Sequence, residues 1–175
     1  MSKGRVLVAM SGGVDSSVAA CLLKAEGYQV VGATMKLWSD GQPEGSRRPR
    51  VCCSIEDVED ARRVCQTIGV AHYVMDFQRE FQAHVIDYFC SEYQRGRTPH
   101  PCLACNDRIK FDLLMENASA LGIEHVATGH YARLDGSGGS TRLLKGIDPS
   151  KDQSYVLFNL RPHQLRRLLL PVGWH

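Results

Sequence analysis

The chain has 175 residues, 43% of them hydrophobic and 23% charged, which is the size and balance of one folded domain and excludes a disordered polyelectrolyte. Its 21 Lys+Arg against 19 Asp+Glu leave a formal net charge of +2, so any basic face must come from local clustering. No apolar run approaches the roughly 18 residues that span a bilayer, and the run after Lys3 and Arg5 is too short for a signal peptide, so a cytoplasmic protein with no membrane partner is expected.

Arg5–Met10 is short, apolar and followed at once by glycines, as in a buried parallel strand. Ser16–Glu26 reads as a helix, with Val18, Ala19, Leu22 and Leu23 on one face and Gly27 at its end. Gln29–Met35 is a second strand, completing a βαβ unit. A basic loop follows from Leu37 to Arg50. Ser54–Ile68 is a helix with acids Glu56, Asp57, Glu59 and Asp60 early, where they suit the helix dipole. Ala71–Met75 is a third strand. Phe81–Tyr93 is a helix with Phe81, Val85, Tyr88 and Phe89 on one face. A loop is expected from Arg95 to about Asn106, then a helix to Leu121 and a fourth strand at His125–Thr128. Residues 131–134 and 141–145 flank a Gly/Ser loop as an antiparallel hairpin. Asp152–Leu160 and Pro162–Leu170 read as short helices, the second one basic. The alternation predicts an α/β fold: an open, mostly parallel sheet flanked by helices, with a β-hairpin near the C-terminus and ligand sites beyond the strand ends.

Ser11-Gly-Gly-Val-Asp-Ser-Ser17 joins the first strand to the first helix. Its glycines let backbone approach an anion. Ser11, Ser16 and Ser17 offer hydroxyls, and the helix start offers unpaired N–H groups. Phosphate is the natural guest, and Asp15 makes sense if Mg²⁺ accompanies it. A plain strand-to-helix turn capped by Asp or Ser would look similar. No Gly-Lys-Ser/Thr closes the loop, so it is not a Walker A sequence.

Seven cysteines is an odd number, and their spacing is not that of a secreted disulfide framework. In a reducing compartment they are core packing, metal ligands or reactive thiols. Cys21, on the first helix, reads as core, and Cys65 and Cys90 as helix packing; Cys52 and Cys53 read as structural or incidental. His72 and His125 read as satisfied structural histidines and His84 as a surface residue. The run Arg161, His163, Arg166 and Arg167 is either an RNA contact or a solvated face. Gly96-Arg-Thr-Pro-His-Pro-Cys-Leu-Ala-Cys-Asn106 differs from these. Pro99 and Pro101 stiffen it, Cys105 falls near a helix start that favours a thiolate, and Arg97, Arg108 and Lys110 add positive charge. Two cysteines packing under a loop is the plainer alternative.

Ser11–Ser17 resembles the PP-loop of ATP pyrophosphatases, which leave an adenylylated substrate. Five segments together resemble the N-terminal part of the tRNA-specific 2-thiouridylases: Ala9–Ser16, Met35-Lys36, Gly96–Phe111, Ala127–Arg133 and Lys151–Tyr155. The resemblance implies an adenine nucleotide alpha hydrolase-like, PP-loop domain over 1–160, with 161–175 starting a linker to a tRNA-binding region. It implies ATP-dependent 2-thiolation of the wobble uridine, through adenylylation and sulfur transfer from a persulfide. ATP, with Mg²⁺ as its companion ion, is implied as the cofactor, and ATP would be held by Ala9, Met10, Ser11, Gly12, Gly13, Val14, Asp15, Ser16, Met35 and Gly129. Cys105 would be the nucleophile, and His100, Pro101, Cys102, His130, Lys151, Asp152 and Gln153 would meet tRNA. A sulfur-carrier protein delivering persulfide is the implied partner.

Two departures stand out. Many members of that family have Asn-Pro-Asp where this chain has His100-Pro101-Cys102, which creates Cys102-x-x-Cys105, a metal-ligand or redox spacing. Some related thiolation enzymes hold an iron–sulfur cluster on three cysteines, so Cys102 and Cys105 as two ligands of a 4Fe–4S cluster is a further expectation. The family's persulfide cysteine lies in a Gly-Ile-Cys-Phe-like segment past Pro171-Val-Gly173, which the 175 residues do not contain. The alternative function is therefore a truncated, catalytically silent ATP- and tRNA-binding remnant; a PP-loop enzyme for a small substrate is a third reading.

Overall fold

The computed structural model describes residues 2–37 and 55–175. Its frame is a five-stranded sheet in the order β3-β2-β1-β4-β7, with every pairing parallel. The strands are β1 (Arg5–Ala9), β2 (Gln29–Lys36), β3 (Ala71–Asp76), β4 (His125–Ala127) and β7 (Leu168–Leu169). A separate two-stranded antiparallel hairpin, β5 (Ala132–Asp135) and β6 (Arg142–Lys145), follows β4. The expected fold class is the one observed.

β1 explains why the sheet is covered on both faces. Val6, Leu7, Val8 and Met10 are all fully buried, so the strand has no solvent side. Leu7 and Ala9 pack into the larger core, with Phe81, Val85, Ile109, Phe111, Leu114 and Ala118. Val6, Val8 and Met10 face the other way, onto Ala19, Ala20 and Leu23 of α1 (Val14–Ala25) and Ala61 and Cys65 of α2 (Ile55–Thr67). Period-two alternation along one strand thus separates two helical layers. The chain crosses from β1 to β2 over one layer and returns to β4, on the opposite side of β1, through the other. The gap between β1 and β4, at their C-terminal ends, is the switch point where open α/β sheets bind ligands.

Several expectations are corrected. α1 buries Ser16, Ala19, Ala20 and Leu23, whereas Val18 is 39% exposed. The small residues Ala19 and Ala20 pack on the sheet with Leu23, which leaves Val18 on the outer face. Cys21 lies off that face and is exposed; so is Cys90, while Cys65 is buried as expected. Tyr88 is exposed too. The helix expected over 81–93 is α3 (Gln78–Phe81), a π-helical stretch Gln82–Ile86 and α4 (Asp87–Gln94). The loop expected to reach Asn106 ends at His100. Helix begins at Pro101, a residue that suits the first helical position because its missing N–H would have no partner there. Asp152–Leu160 is a run of tight turns around a single 3₁₀ turn, Ser154–Val156. The helix expected over 162–170 stops at α7 (Pro162–Leu165), and β7 then joins the sheet beside β4. Residues 161–175, expected to begin a linker, thus carry a strand of the central sheet. Cys52, Cys53 and most of the basic loop lie outside the described residues.

Candidate functional site

The glycine loop leaves the buried end of β1 and enters α1. Gly12 has φ +76°, and a Cβ there would lie 2.5 Å from the Asp57 carbonyl oxygen, so only glycine fits this approach to α2. Gly13 is the N-cap of α1, with extended backbone and no side-chain cap. The loop is braced from inside. Ser11 N–H donates to Ser16 Oγ at 3.2 Å, and Ser16 Oγ donates to the Gly13 carbonyl at 3.0 Å. Ser17 Oγ donates to the same carbonyl at 2.9 Å. Ser16 is 4% exposed, and its hydroxyl braces the loop from within. Ser11, Gly13, Val14 and Asp15 form the exposed rim. Ala9 and Met10 have buried side chains in opposite cores and offer only backbone to the site. Met35, near the end of β2, is likewise buried by its side chain.

Thr128–Tyr131 leaves β4 on the other side of the crevice. A Cβ on Gly129 would sit 2.6 Å from the backbone of Asp15 and Ser16, so this segment rests on the first turn of α1. Tyr131 Oη donates to Asp15 Oδ1 at 3.2 Å. His130 Nδ1 is 2.8 Å from Thr128 Oγ1, and its ring lies 6.2 Å from that of Phe111. Burial pushes the His130 imidazole down to about 3, and nearby Lys110 pushes it the same way. A neutral imidazole donates or accepts hydrogen bonds here; it is not a cation for phosphate.

The Cys102–Cys105 segment leads into the helix whose Phe111 packs against His130. α5 (Pro101–Ala104) runs into a π-helical stretch, Cys105–Leu113, and then α6 (Leu114–Ala120). Cys102 is exposed, and Cys105 is half-buried against the larger core at the start of the π-helical stretch. π-helical turns are rare and frequent at functional sites, and the sequence carried no signal for this one. Asn106 is 3% exposed, and its Nδ2 donates to the Val156 carbonyl at 3.2 Å. That bond ties the cysteine helix to the 151–158 segment. Gln153 ties the same segment to β4's loop: its Oε1 accepts from Tyr131 N–H at 3.0 Å, and its own N–H donates to the Tyr131 carbonyl at 2.8 Å.

The glycine loop, Gly129-His130 and the Cys105 helix are thus joined by direct packing and hydrogen bonds. Other expected contacts have structural duties. Asp152 accepts from Gly146 N–H at 2.9 Å and from Ser154 Oγ at 2.9 Å, and Gln153 is committed to Tyr131. Lys151 and His100 remain exposed. Arg167 donates to the Glu124 and Ile123 carbonyls and to Ser119 Oγ, so it pins the entry to β4. His72 is satisfied, 2.8 Å from Thr34 Oγ1, whereas His125 Nδ1 is buried with no hydrogen-bond partner. His84 is on the surface, as expected. Among the described residues no group of three or more His, Cys, Asp or Glu gathers as a metal site. Cys102 and Cys105 are two donors, so they do not by themselves make the three-cysteine site of a 4Fe–4S cluster. No helix of the described residues is long and apolar enough to cross a membrane.

Residues 4–175 match the family model described as the tRNA methyl transferase HUP domain. The chain belongs to this family. Its HUP domain is 49% identical over 175 residues to the tRNA-specific 2-thiouridylase MnmA of Pelotomaculum thermopropionicum, covering 99% of this chain and 48% of that protein. It is 52% identical over 176 residues to the enzyme of that name from Geobacter metallireducens, covering 98% of this chain and 48% of that protein. These relatives bear out the resemblance read from the five motifs. The chain spans about half the length of the curated relatives it matches. Among solved structures, the HUP domain is similar to a predicted subunit of tRNA methyltransferase from Methanocaldococcus jannaschii, with a TM-score of 0.56 and 17% identity, over 98% of this chain and 70% of that one. That likeness concerns the fold.

Proposed function

We propose that this HUP domain binds ATP at the glycine loop and activates a uridine of tRNA for 2-thiolation in the cytoplasm. The observation that carries the reading is the junction at the sheet's switch point. The glycine-rich loop meets the segment carrying a neutral histidine there, where Tyr131 donates to Asp15 across 116 positions, and the helix that carries half-buried Cys105 packs its Phe111 against that histidine.

The chemistry follows from the groups present. The rim of the loop offers backbone N–H groups and the positive end of α1 to the nucleotide phosphates. Asp15, exposed on that rim, is a hard oxygen donor and would hold Mg²⁺, which neutralises phosphate charge. Attack of the uridine O2 on the α-phosphorus releases pyrophosphate and leaves C2 bearing an AMP leaving group. Sulfur then adds to C2 and AMP departs. The Cys105 thiolate would attack the inner sulfur of a persulfide brought by a sulfur-carrier protein, breaking its S–S bond: the hydrosulfide released adds to C2, and a mixed disulfide with Cys105 remains. The target base must leave its stack to reach the crevice. His100, Pro101 and Cys102 lie at the start of the Cys105 helix, where they would face that base, and Lys151 and His130 would meet the tRNA.

The test uses labelled ATP, Mg²⁺ and unthiolated tRNA, with the products separated. AMP and pyrophosphate formed only with tRNA support the reading. ADP and phosphate overturn it. ATP bound without turnover overturns the catalytic step and leaves the binding remnant. Cys105→Ser is expected to keep the AMP-forming step and lose thiolation.

A further inference from the structure

Two aromatic side chains beside the junction have no part in the reading above. Tyr155 is 63% exposed and Phe158 64% exposed, three positions apart in the turns around Ser154–Val156. Leu157 between them is 1% exposed and belongs to the larger core, so the turn is anchored inward while both rings stay outside. Isolated exposed aromatics are ordinary. These two sit on a segment pinned at both flanks of the site, by Asn106 to the Cys105 helix and by Gln153 to the backbone of Tyr131, next to His130. The platform is therefore fixed before any partner arrives, which lowers the ordering cost of binding.

Its charge selects the partner. Lys151 and Arg161, both exposed, bracket the segment. Its one acid, Asp152, has its carboxylate engaged by Gly146 and Ser154. Rings between cations, with no outward acid, match unpaired nucleotides: bases stack on the faces and phosphates meet the cations. We propose that Tyr155 and Phe158 stack on unpaired bases of the RNA substrate beside the target nucleotide. The inference rests on the tRNA reading and deepens it, since it has the protein grip loop bases as well as phosphates. Stacking there offsets part of the cost of unstacking the loop when the target base turns into the crevice.

The experiment uses an anticodon stem-loop carrying 2-aminopurine beside the target uridine. Affinity is read by anisotropy, and stacking by quenching of the 2-aminopurine, over a series of salt concentrations. Tyr155→Ala and Phe158→Ala are each expected to weaken binding about 5- to 150-fold and to lose quenching, with the salt slope unchanged. Tyr155→Phe should retain both, because the ring remains. Lys151→Ala should lower the salt slope by about 1 and keep the quenching. Both aromatic positions are exposed, so the variants keep the fold. Wild-type binding and quenching in both alanine variants would overturn the stacking and leave the tRNA reading standing. Failure of the wild-type protein to bind the stem-loop would sink both. Unchanged RNA binding with an altered oligomeric state would assign the rings to a protein interface and also overturn the proposal.

Discussion

Gly129 lies against the backbone of Asp15 so closely that a Cβ on it would fall 2.6 Å from the Asp15 carbonyl carbon and 2.6 Å from Ser16 N. The contact joins the segments that follow β1 and β4, at the point where the strand order reverses. It also explains why a small residue opens the His130 segment. The obstructing atoms are helix backbone and cannot swing aside. Gly129→Ala is therefore expected to cost about 1–3 kcal/mol in urea denaturation and to weaken ATP binding, since the segment or α1 must shift. Gly136→Ala, in the hairpin loop where a Cβ meets nothing within 4 Å, is the control that should change neither.

Ser16 braces the glycine loop from inside. Its hydroxyl accepts from Ser11 N–H and donates to the Gly13 carbonyl inside a buried turn. Ser16→Ala leaves both backbone groups without that partner, at a cost of about 1–3 kcal/mol. Ser17→Ala removes a more exposed bond to the same carbonyl and should cost less. Thermal unfolding of the two variants checks the order; equal losses would place Ser16 outside the bracing role.

The layered fold and the glycine loop were legible because they rest on local signals. The buried run of β1, the glycines after it and the periodic helices name their elements without tertiary help. What stayed hidden depends on tertiary contact. β7 has only Leu168 and Leu169 in its ladder, and it is a strand because β4 has an open edge beside it. Cys21 looks like core by residue type, yet it shares a helical face with exposed Val14 and Val18, opposite the small residues that pack on the sheet. The π-helical stretch starting at Cys105 has no sequence signature. The bracing bonds of Ser16 were hidden for a related reason: a short hydroxyl inside a tight loop finds backbone partners nearby. The motif resemblance named segments that pack on one another, but not which of their side chains brace them.

His130 should make stability depend on pH. Its folded-state value is about 3, against an ordinary value near 6.5, because burial disfavours the charged ring and Lys110 adds to the effect. Between those values the unfolded chain binds a proton that the folded chain refuses. Stability therefore rises with pH through this window, is fully present above about 6.5, and is lost as pH falls, by up to ~1.4 kcal/mol per unit. His130→Gln should flatten the pH dependence of the urea midpoint between pH 6.5 and 4. The His130 imidazole should show no titration by NMR between pH 5 and 8, and a midpoint near 6.5 would refute the assignment.

Thiol labelling should separate the cysteines by burial. Cys21, Cys90 and Cys102 are exposed and should alkylate fast in the native protein. Cys65 is 1% exposed, and its thiol is pushed up by burial and then by nearby Cys21, so both access and thiolate fraction are low. It should react only on unfolding. Gly32 makes the reason visible: a Cβ there would lie 2.6 Å from Cys65 Sγ, so the sulfur packs directly on β2. Mass spectrometry of peptides after a timed pulse of iodoacetamide gives the order. Native labelling of Cys65 at the rate of Cys21 would contradict the packing of α2 on the sheet.

Asn106 should control how firmly the 151–158 segment is held. Its Nδ2 donates to the Val156 carbonyl, while its Oδ1 is buried with no hydrogen-bond partner, so the amide is held by one bond where it has capacity for more. Asn106→Ala removes the anchor, frees the Val156 carbonyl and empties buried volume, which should cost about 1–3 kcal/mol. The local effect is the sharper readout. Hydrogen exchange at Val156 and Leu157, whose N–H groups donate to Gln153 and Ser154 within the turn, should quicken more than exchange in β1. Asn106→Asp tests the geometry separately, because it keeps the shape but loses the N–H donor and places a carboxylate beside the Val156 carbonyl. It should loosen the segment at least as much as alanine, and protection equal to that of the wild-type protein would show that packing of Leu157, rather than the amide, holds the turn in place.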